Sequence, residues 1–244
     1  MKTLLNYLLT PLCHLAFGLL LVIFHALQVI SLNIFGENAR QKVVNVLNWF
    51  LVYSLRIMGS SITFKGFENL PEGRPVIIVS NHQSLYDIPA IILGFKKYTP
   101  KFISKIELGK GLPSISYNLT KGKSALIDRK NPAQAIKEIF KLGKLIQSTN
   151  EAACIFPEGT RSKNGKVKKF KVPGINTLLR AAPDAIIIPF AIDGHSKVIK
   201  NGMFPLSCGE KITYTALDAI DPKGRDVEEL VAEIEQNIKT SLGQ

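Results

Sequence analysis

The chain has 244 residues, 46% of them apolar, and a formal net charge of +12. That composition excludes a disordered polymer and leaves room for one large domain, or a domain with an appendage. The basic excess suits an anionic partner: a nucleic acid, a membrane with acidic headgroups, or a phosphorylated substrate.

From Thr3 to Gly36 there is no Asp, Glu, Lys or Arg. The stretch is long enough to cross the hydrocarbon core, which takes roughly 20 apolar residues. No small-x-small cleavage site follows it, so it reads as a membrane-embedded helix rather than a secretory leader. It either crosses the bilayer or enters one leaflet, with Pro11 permitting a bend. The pattern from Ala39 to Met58 predicts an amphipathic helix, either packed on a core or, as Arg40, Lys42, Arg56, Trp49 and Tyr53 would suit, lying at a headgroup boundary. Gly59, Ser60 and Ser61 close this region. The boundary therefore falls at residue 60, with N-terminal membrane-associated helices over 1–60 and a separate α/β domain over 61–244.

Beyond it the pattern alternates between strand and helix. Strands are predicted at Ile62–Phe67, Val76–Val79, Lys101–Lys105, Ser124–Asp128, Ala152–Phe156, Ile186–Ile192 and Lys211–Leu217. Helices are predicted at Leu85–Leu93, Asn131–Ser148, Gly174–Ala182 and Val227–Thr240. In the second of these, Ala135, Ile136, Ile139, Phe140, Leu142 and Ile146 make the apolar side. The fold class is α/β, with a mixed sheet covered by helices. Pro189 marks its strand as an edge or an irregular site. Cys13, Cys154 and Cys208 are far apart and lack metal-ligand spacing, as expected of free thiols in a reducing compartment.

Four places carry chemistry. His82 ends the Val76 strand, and Asp87 follows five residues later. On one helix such a pair would diverge, but a loop can fold the carboxylate back onto the imidazole. The carboxylate would then fix the tautomer and leave the other ring nitrogen free to take a proton. Equally, the pair can be a strand-end His and a helix-capping Asp. The run Phe156, Pro157, Glu158, Gly159, Thr160, Arg161, Ser162 also leaves a buried strand. Its turn offers backbone N–H groups to an oxyanion, and Arg161 can grip a phosphate through two parallel hydrogen bonds. Lys163, Lys166, Lys168, Lys169 and Lys171 follow, as a solvated face or one turned to anionic groups. Asp128 and Arg129 end another strand, and Lys101 and Lys105 flank a third, so cations at neighbouring strand ends can share an anion. His195, in a Gly-rich turn, reads as structural or solvated.

In this order and spacing, the N-H-x-x-x-x-D run at Asn81–Asp87, the Gly122–Arg129 block, the F-P-E-G-T-R-S run from Phe156 and the I-P block at Pro189 resemble the glycerolipid acyltransferase superfamily. Within it they are most similar to the bacterial 1-acyl-sn-glycerol-3-phosphate acyltransferases. Ser124, Ala125 and Leu126 depart from the bulkier apolar residues usual in the second block. The resemblance implies direct transfer of a fatty acyl chain from acyl-CoA or acyl-carrier protein to the sn-2 hydroxyl of 1-acyl-sn-glycerol 3-phosphate, giving phosphatidic acid. His82 would be the base and Asp87 its orienter. Glu158, Gly159, Thr160, Arg161, Lys105 and Arg129 would bind substrate. No acyl-enzyme, metal or redox cofactor is implied, and the expected partners are a membrane lipid, the acyl donor and an anionic membrane surface. The expected location is the bacterial inner membrane, with the site facing the cytoplasm. The residues leave other acceptors open: glycerol 3-phosphate, another lysophospholipid or a lyso-ornithine lipid. They also leave a non-catalytic membrane-binding protein. Nucleic acid is disfavoured, because the basic residues lack interleaved aromatics and the N-terminal stretch is lipid-like.

Overall fold

The computed structural model describes residues 2–244. Its centre is β2 (Val76–Ser80), five consecutive residues all buried. Val76 and Ile78 enter one core, Ile77 and Val79 the other, as the two-residue period of a strand requires. A strand apolar on both faces needs cover on both, and helices supply it.

The other strands are β1 (Ser61–Lys65), β3 (Lys101–Lys105), β4 (Ala125–Ile127), β5 (Ala152–Ile155), β6 (Ile186–Asp193) and β7 (Lys211–Ala216), in the sheet order β1-β7-β6-β2-β5-β3-β4. From β6 to β4 every pairing is parallel. β7 is antiparallel to β6, and β1 is parallel to β7. The sheet is thus mixed, and the carboxyl ends of β6, β2, β5, β3 and β4 lie along one edge. In such sheets that edge is where ligands are bound.

Helices α1 (Lys2–Phe35), α2 (Glu37–Tyr53) and α3 (Asp87–Gly94) lie on one side of the sheet. Helices α5 (Pro132–Thr149), α6 (Val172–Ala181) and α8 (Val227–Ser241) lie on the other. Short helices α4 (Ile115–Lys121) and α7 (His195–Val198) complete the set; the sequence pattern does not predict them. α5 starts at Asn131, whose side chain accepts the Gln134 N–H, with Pro132 at the first position. Asp226 caps α8 in the same way.

Three expectations need correction, and a fourth, the edge or irregular site at Pro189, is narrowed. Pro189 is not on an edge strand, since β6 lies between β7 and β2. It occupies an irregular point where the β7 ladder, which begins at Phe190, has not yet started, and its carbonyl accepts the Leu217 N–H. There the missing N–H breaks no regular pair. Ile136 and Phe140 are exposed, because the buried stripe of α5 is Ile139, Leu142, Gly143 and Ile146. Arg40 is not at a headgroup boundary: it is fully buried, bonded to Glu37 and to Asn118 Oδ1. Lys101 is at the amino end of β3, paired with Glu151 at 2.9 Å, away from the other strand-end cations.

α1 is inverted relative to a helix of a soluble core. Its buried residues are Asn6, Thr10, Cys13, Phe24, Gln28 and Ser31, while Leu8, Leu12, Leu15, Leu19, Ile23 and Leu27 are exposed. The polar groups dock it to the α/β body. Asn6 accepts the Cys208 N–H, Thr10 the Leu206 N–H, and Gln28 donates to Ser114 Oγ. Phe17 meets Tyr86 edge-on at 5.3 Å. From Asn6 to Gln28 the docked face runs for about 33 Å at the helical rise. The three cysteines are buried free thiols.

Candidate active site

β2 ends at Ser80, and of the next three residues the first and third are stitched to β6. The Asn81 side chain donates to Ile192 O and accepts the Ile192 N–H, so its amide extends the β2–β6 ladder one step beyond Ser80. Gln83 donates to the same carbonyl and accepts the Ser196 N–H. His82, between them, is held at a fixed place on the carboxyl edge.

The chain then turns back on itself. Asp87, at the start of α3 and fully buried, directs Oδ2 at the His82 Nδ1 (2.7 Å) and at the N–H groups of Gln83 (2.7 Å) and Ser84 (3.0 Å). Burial is the largest influence on this carboxyl and opposes ionisation, but hydrogen bonds from His195 and His82 outweigh it. Asp87 is held well below the usual carboxylate range. An ionised carboxylate only accepts, so Nδ1 of His82 carries the proton and Nε2 keeps its lone pair. Phe156 stacks on the ring at 4.0 Å, and the side chain is 15% exposed. Nε2 has no partner among the described residues.

The loop after β5 is clasped to the loop after β2. Glu158, 4% exposed, accepts the His82 N–H at 2.9 Å through Oε1 and the Lys168 N–H at 3.3 Å through Oε2. The Ser162 N–H donates to His82 O at 2.7 Å. Burial pushes the Glu158 carboxyl up to about 7 against those donors. Gly159 closes the turn by donating to Phe156 O, and its φ of +73° is the left-handed conformation that favours glycine. Its N–H is therefore engaged. Those of Thr160 and Arg161 have no partner among the described residues. Lys168 Nζ bonds Thr160 Oγ1 and Arg161 O, which braces the turn.

Arg161, Lys105 and Arg129 are exposed, and their side chains make no hydrogen bond or ion pair among the described residues. Lys105 ends the strand beside β5 and Arg129 follows the strand beyond it. At the usual strand spacing those offsets from β5 are about 5 and 10 Å. The sheet thus gathers all the expected site residues along one edge, Arg129 outermost.

Of the two expectations for His195, structural or solvated, the structure shows the first. It is fully buried, with Nδ1 2.5 Å from Asp87 Oδ1 and Nε2 2.8 Å from the Tyr214 hydroxyl. It follows the carboxyl end of β6 through Gly194, whose φ is +95° and where a Cβ would sit 2.1 Å from Lys211 O. The only sequence signal was that placement, a His just past a buried strand.

An acyltransferase family model matches residues 61–193, more than half of the chain. A 1-acyl-sn-glycerol-3-phosphate acyltransferase of Pseudomonas aeruginosa is 31% identical over 156 residues, 63% of this chain and 58% of that protein. The human beta form is 26% identical over 82% of this chain and 71% of its own. Against relatives from Arabidopsis thaliana and Cocos nucifera the match spans 38% and 43% of their length. The crystal structure of the 1-acyl-sn-glycerophosphate acyltransferase from Thermotoga maritima superposes with a TM-score of 0.83 at 29% identity, over 100% of this chain and 97% of that one. The chain belongs to the acyltransferase family.

Proposed function

We propose that this chain is a 1-acylglycerol-3-phosphate O-acyltransferase, with acyl-CoA or an acyl-carrier protein as donor and phosphatidic acid as product. One observation carries the reading. An imidazole fixed by a buried carboxylate leaves Nε2 open, and the loop clasped to it bears the unpaired Arg161.

In the reaction so read, the sn-2 hydroxyl oxygen attacks the thioester carbonyl while His82 Nε2 takes its proton. Asp87 stabilises the imidazolium. Negative charge develops on the carbonyl oxygen, where the free N–H groups of Thr160 and Arg161 receive it. The C–S bond then breaks, and the imidazolium returns the proton to the departing thiolate. No acyl-enzyme forms, and each step uses groups of this chain without a metal or redox cofactor. Arg161 holds the acceptor phosphate, Lys105 lies within reach of the same group, and Arg129 serves the rim. Glu158 and Gly159 shape the loop.

Residues 1–60 act as the membrane unit and 61–244 as the catalytic unit. A helix with its polar side against protein and its leucines outward suits a lipid surroundings. Docking along about 33 Å of its length favours lying in one leaflet over crossing. The positive charge favours an anionic leaflet, and soluble thioester donors favour the cytoplasmic face of a bacterial inner membrane. The deciding experiment is an acyl-transfer assay of purified protein across lysophosphatidate, glycerol 3-phosphate, lysophosphatidylcholine and lyso-ornithine lipid, with both donor types. Lysophosphatidate should be preferred. Turnover confined to an acceptor without phosphate would overturn the assignment.

A further inference from the structure

The carboxylate that holds His82 carries a second imidazole. Asp87 Oδ1 is 2.5 Å from His195 Nδ1, and His195 Nε2 is 2.8 Å from the Tyr214 hydroxyl. His82, Asp87, His195 and Tyr214 thus form one line of side chains, running from the open edge of the sheet to the middle of β7. Three of the four are buried completely.

The protons facing Asp87 can be assigned. Asp87 is ionised, so both of its oxygens accept, and both imidazoles present Nδ1–H to it. Burial, the largest cause, holds the Tyr214 hydroxyl well above its ordinary value, so it remains a phenol, able to donate to or accept from the ring. His195 donates its Nδ1–H to Asp87 and pairs Nε2 with the Tyr214 hydroxyl, so both ring nitrogens are engaged. The ring has no exposed surface and cannot touch a substrate. A buried apolar residue could fill the space; a ring with both nitrogens engaged does something more specific.

We propose that His195, braced by Tyr214, is a positioning residue for acyl transfer, fixing the Asp87 carboxylate against His82 and drawing part of its charge. The proposal rests on the reading of His82 as the base. Two effects follow, and they differ in sign. Fixing the carboxylate keeps Nε2 of His82 aimed at the acceptor hydroxyl, which raises kcat. Drawing charge from Asp87 makes it a weaker partner for the His82 imidazolium, which lowers the basicity of His82.

Other ionisable groups face this line from every side. They are Tyr86 on the α3 loop, Cys154 on β5, Glu158 with Lys168 on the following loop, and Tyr53 on α2 toward Tyr214. Asp193 and Lys197 pair with each other on the adjoining surface. Glu158, at about 7, titrates in the assay window, so each variant is also measured in a Glu158→Gln background.

The test is steady-state kinetics of the full chain against pH, with lysophosphatidate and acyl-CoA, normalised to folded protein. His195→Ala should lower kcat about tenfold or more with both KM values unchanged, the scale of a hydrogen bond to a charged group. It should also move the acid limb of kcat/KM toward higher pH. His195→Asn, whose amide N–H can occupy the place of Nδ1, should recover most of kcat. Tyr214→Phe should lower kcat about threefold, at the lower end for a lost hydrogen bond. Equal kcat per folded molecule and an unmoved limb in His195→Ala, or an unchanged kcat in Tyr214→Phe where His195→Ala does not fold, would make His195 a packing residue and overturn the proposal. His82→Ala, run alongside, separates the two claims. Retained activity there removes the base itself, whereas its loss with normal His195 variants removes only the inference.

Discussion

Two regions on the same edge of the sheet are built in opposite ways. Behind His82, both oxygens of a fully buried carboxylate are occupied by imidazole and backbone donors, and each neighbouring polar side chain is tied to β6 or to the loop after β5. Around Arg161, Lys105 and Arg129, the charged ends are exposed and unpaired among the described residues. In the first region a charge stays buried because it is fully hydrogen-bonded, and its geometry does not change. In the second, cations stay hydrated until an anion arrives. On the proposed mechanism, the group to be aimed is locked and the groups to capture are left free.

The comparison predicts different kinetic signatures, the largest behind His82. Asp87→Asn places an amide N–H where only an acceptor fits, between two Nδ1–H groups. His82 then turns to the tautomer protonated on Nε2, and the base is lost. We expect kcat to fall by about 10³ to 10⁴, the range of general-base catalysis, with KM for both substrates little changed. A kcat within tenfold of wild type would show that the locked region does not aim the base.

Much of this was readable before any coordinates. Val76–Val79 and Ala152–Ile155 announce themselves as buried strands, and a His and an Asp five apart at a strand end are close enough in sequence to be folded together by a loop, one of two readings the pair left open. Arg161 follows from the same logic one strand over. His195 was not readable, because it meets Asp87 across 108 residues of sequence. Its proximity depends on β6 lying beside β2, which no local pattern encodes. The polar residues of α1 also carry a signal. Asn6, Thr10, Cys13, Phe17, Phe24, Gln28 and Ser31 recur at spacings that keep one face of a helix, and that face is the docked one. Ile136 and Phe140 misled in the opposite sense, apolar and i,i+4 yet exposed.

The capturing region should respond through KM. Arg161→Ala removes a charge-assisted contact to the acceptor phosphate and should raise KM for lysophosphatidate about 30-fold with kcat nearly intact. Arg161→Lys should recover part of it, since an ammonium lacks the planar fork. Arg129→Ala, two strands from β5, should raise KM by no more than about threefold, and that effect should vanish at high salt as rim electrostatics do. Equal losses for Arg129 and Arg161 would erase the distinction between a holding cation and a rim cation.

The smallest effect lies at the seam between the regions, where Glu158 fastens one loop to the other. Its carboxyl is raised from 4.5 to about 7 by burial, so the folded state favours the protonated form. Between those values the folded protein binds more protons than the unfolded one, and stability contributed by this group declines as pH rises through that window. It is fully present below about 4.5 and lost above about 7. Glu158→Gln cannot titrate, so Tm of the variant relative to wild type should rise by a few degrees from pH 5 to pH 7.5, about the scale of 1 kcal/mol in a domain of this size. The neutral amide keeps an acceptor for the His82 N–H but presents its own N–H toward that of Lys168. A constant Tm offset across that pH range would mean the seam is held by an ionised Glu158. The locked region would then begin at Glu158 rather than at His82.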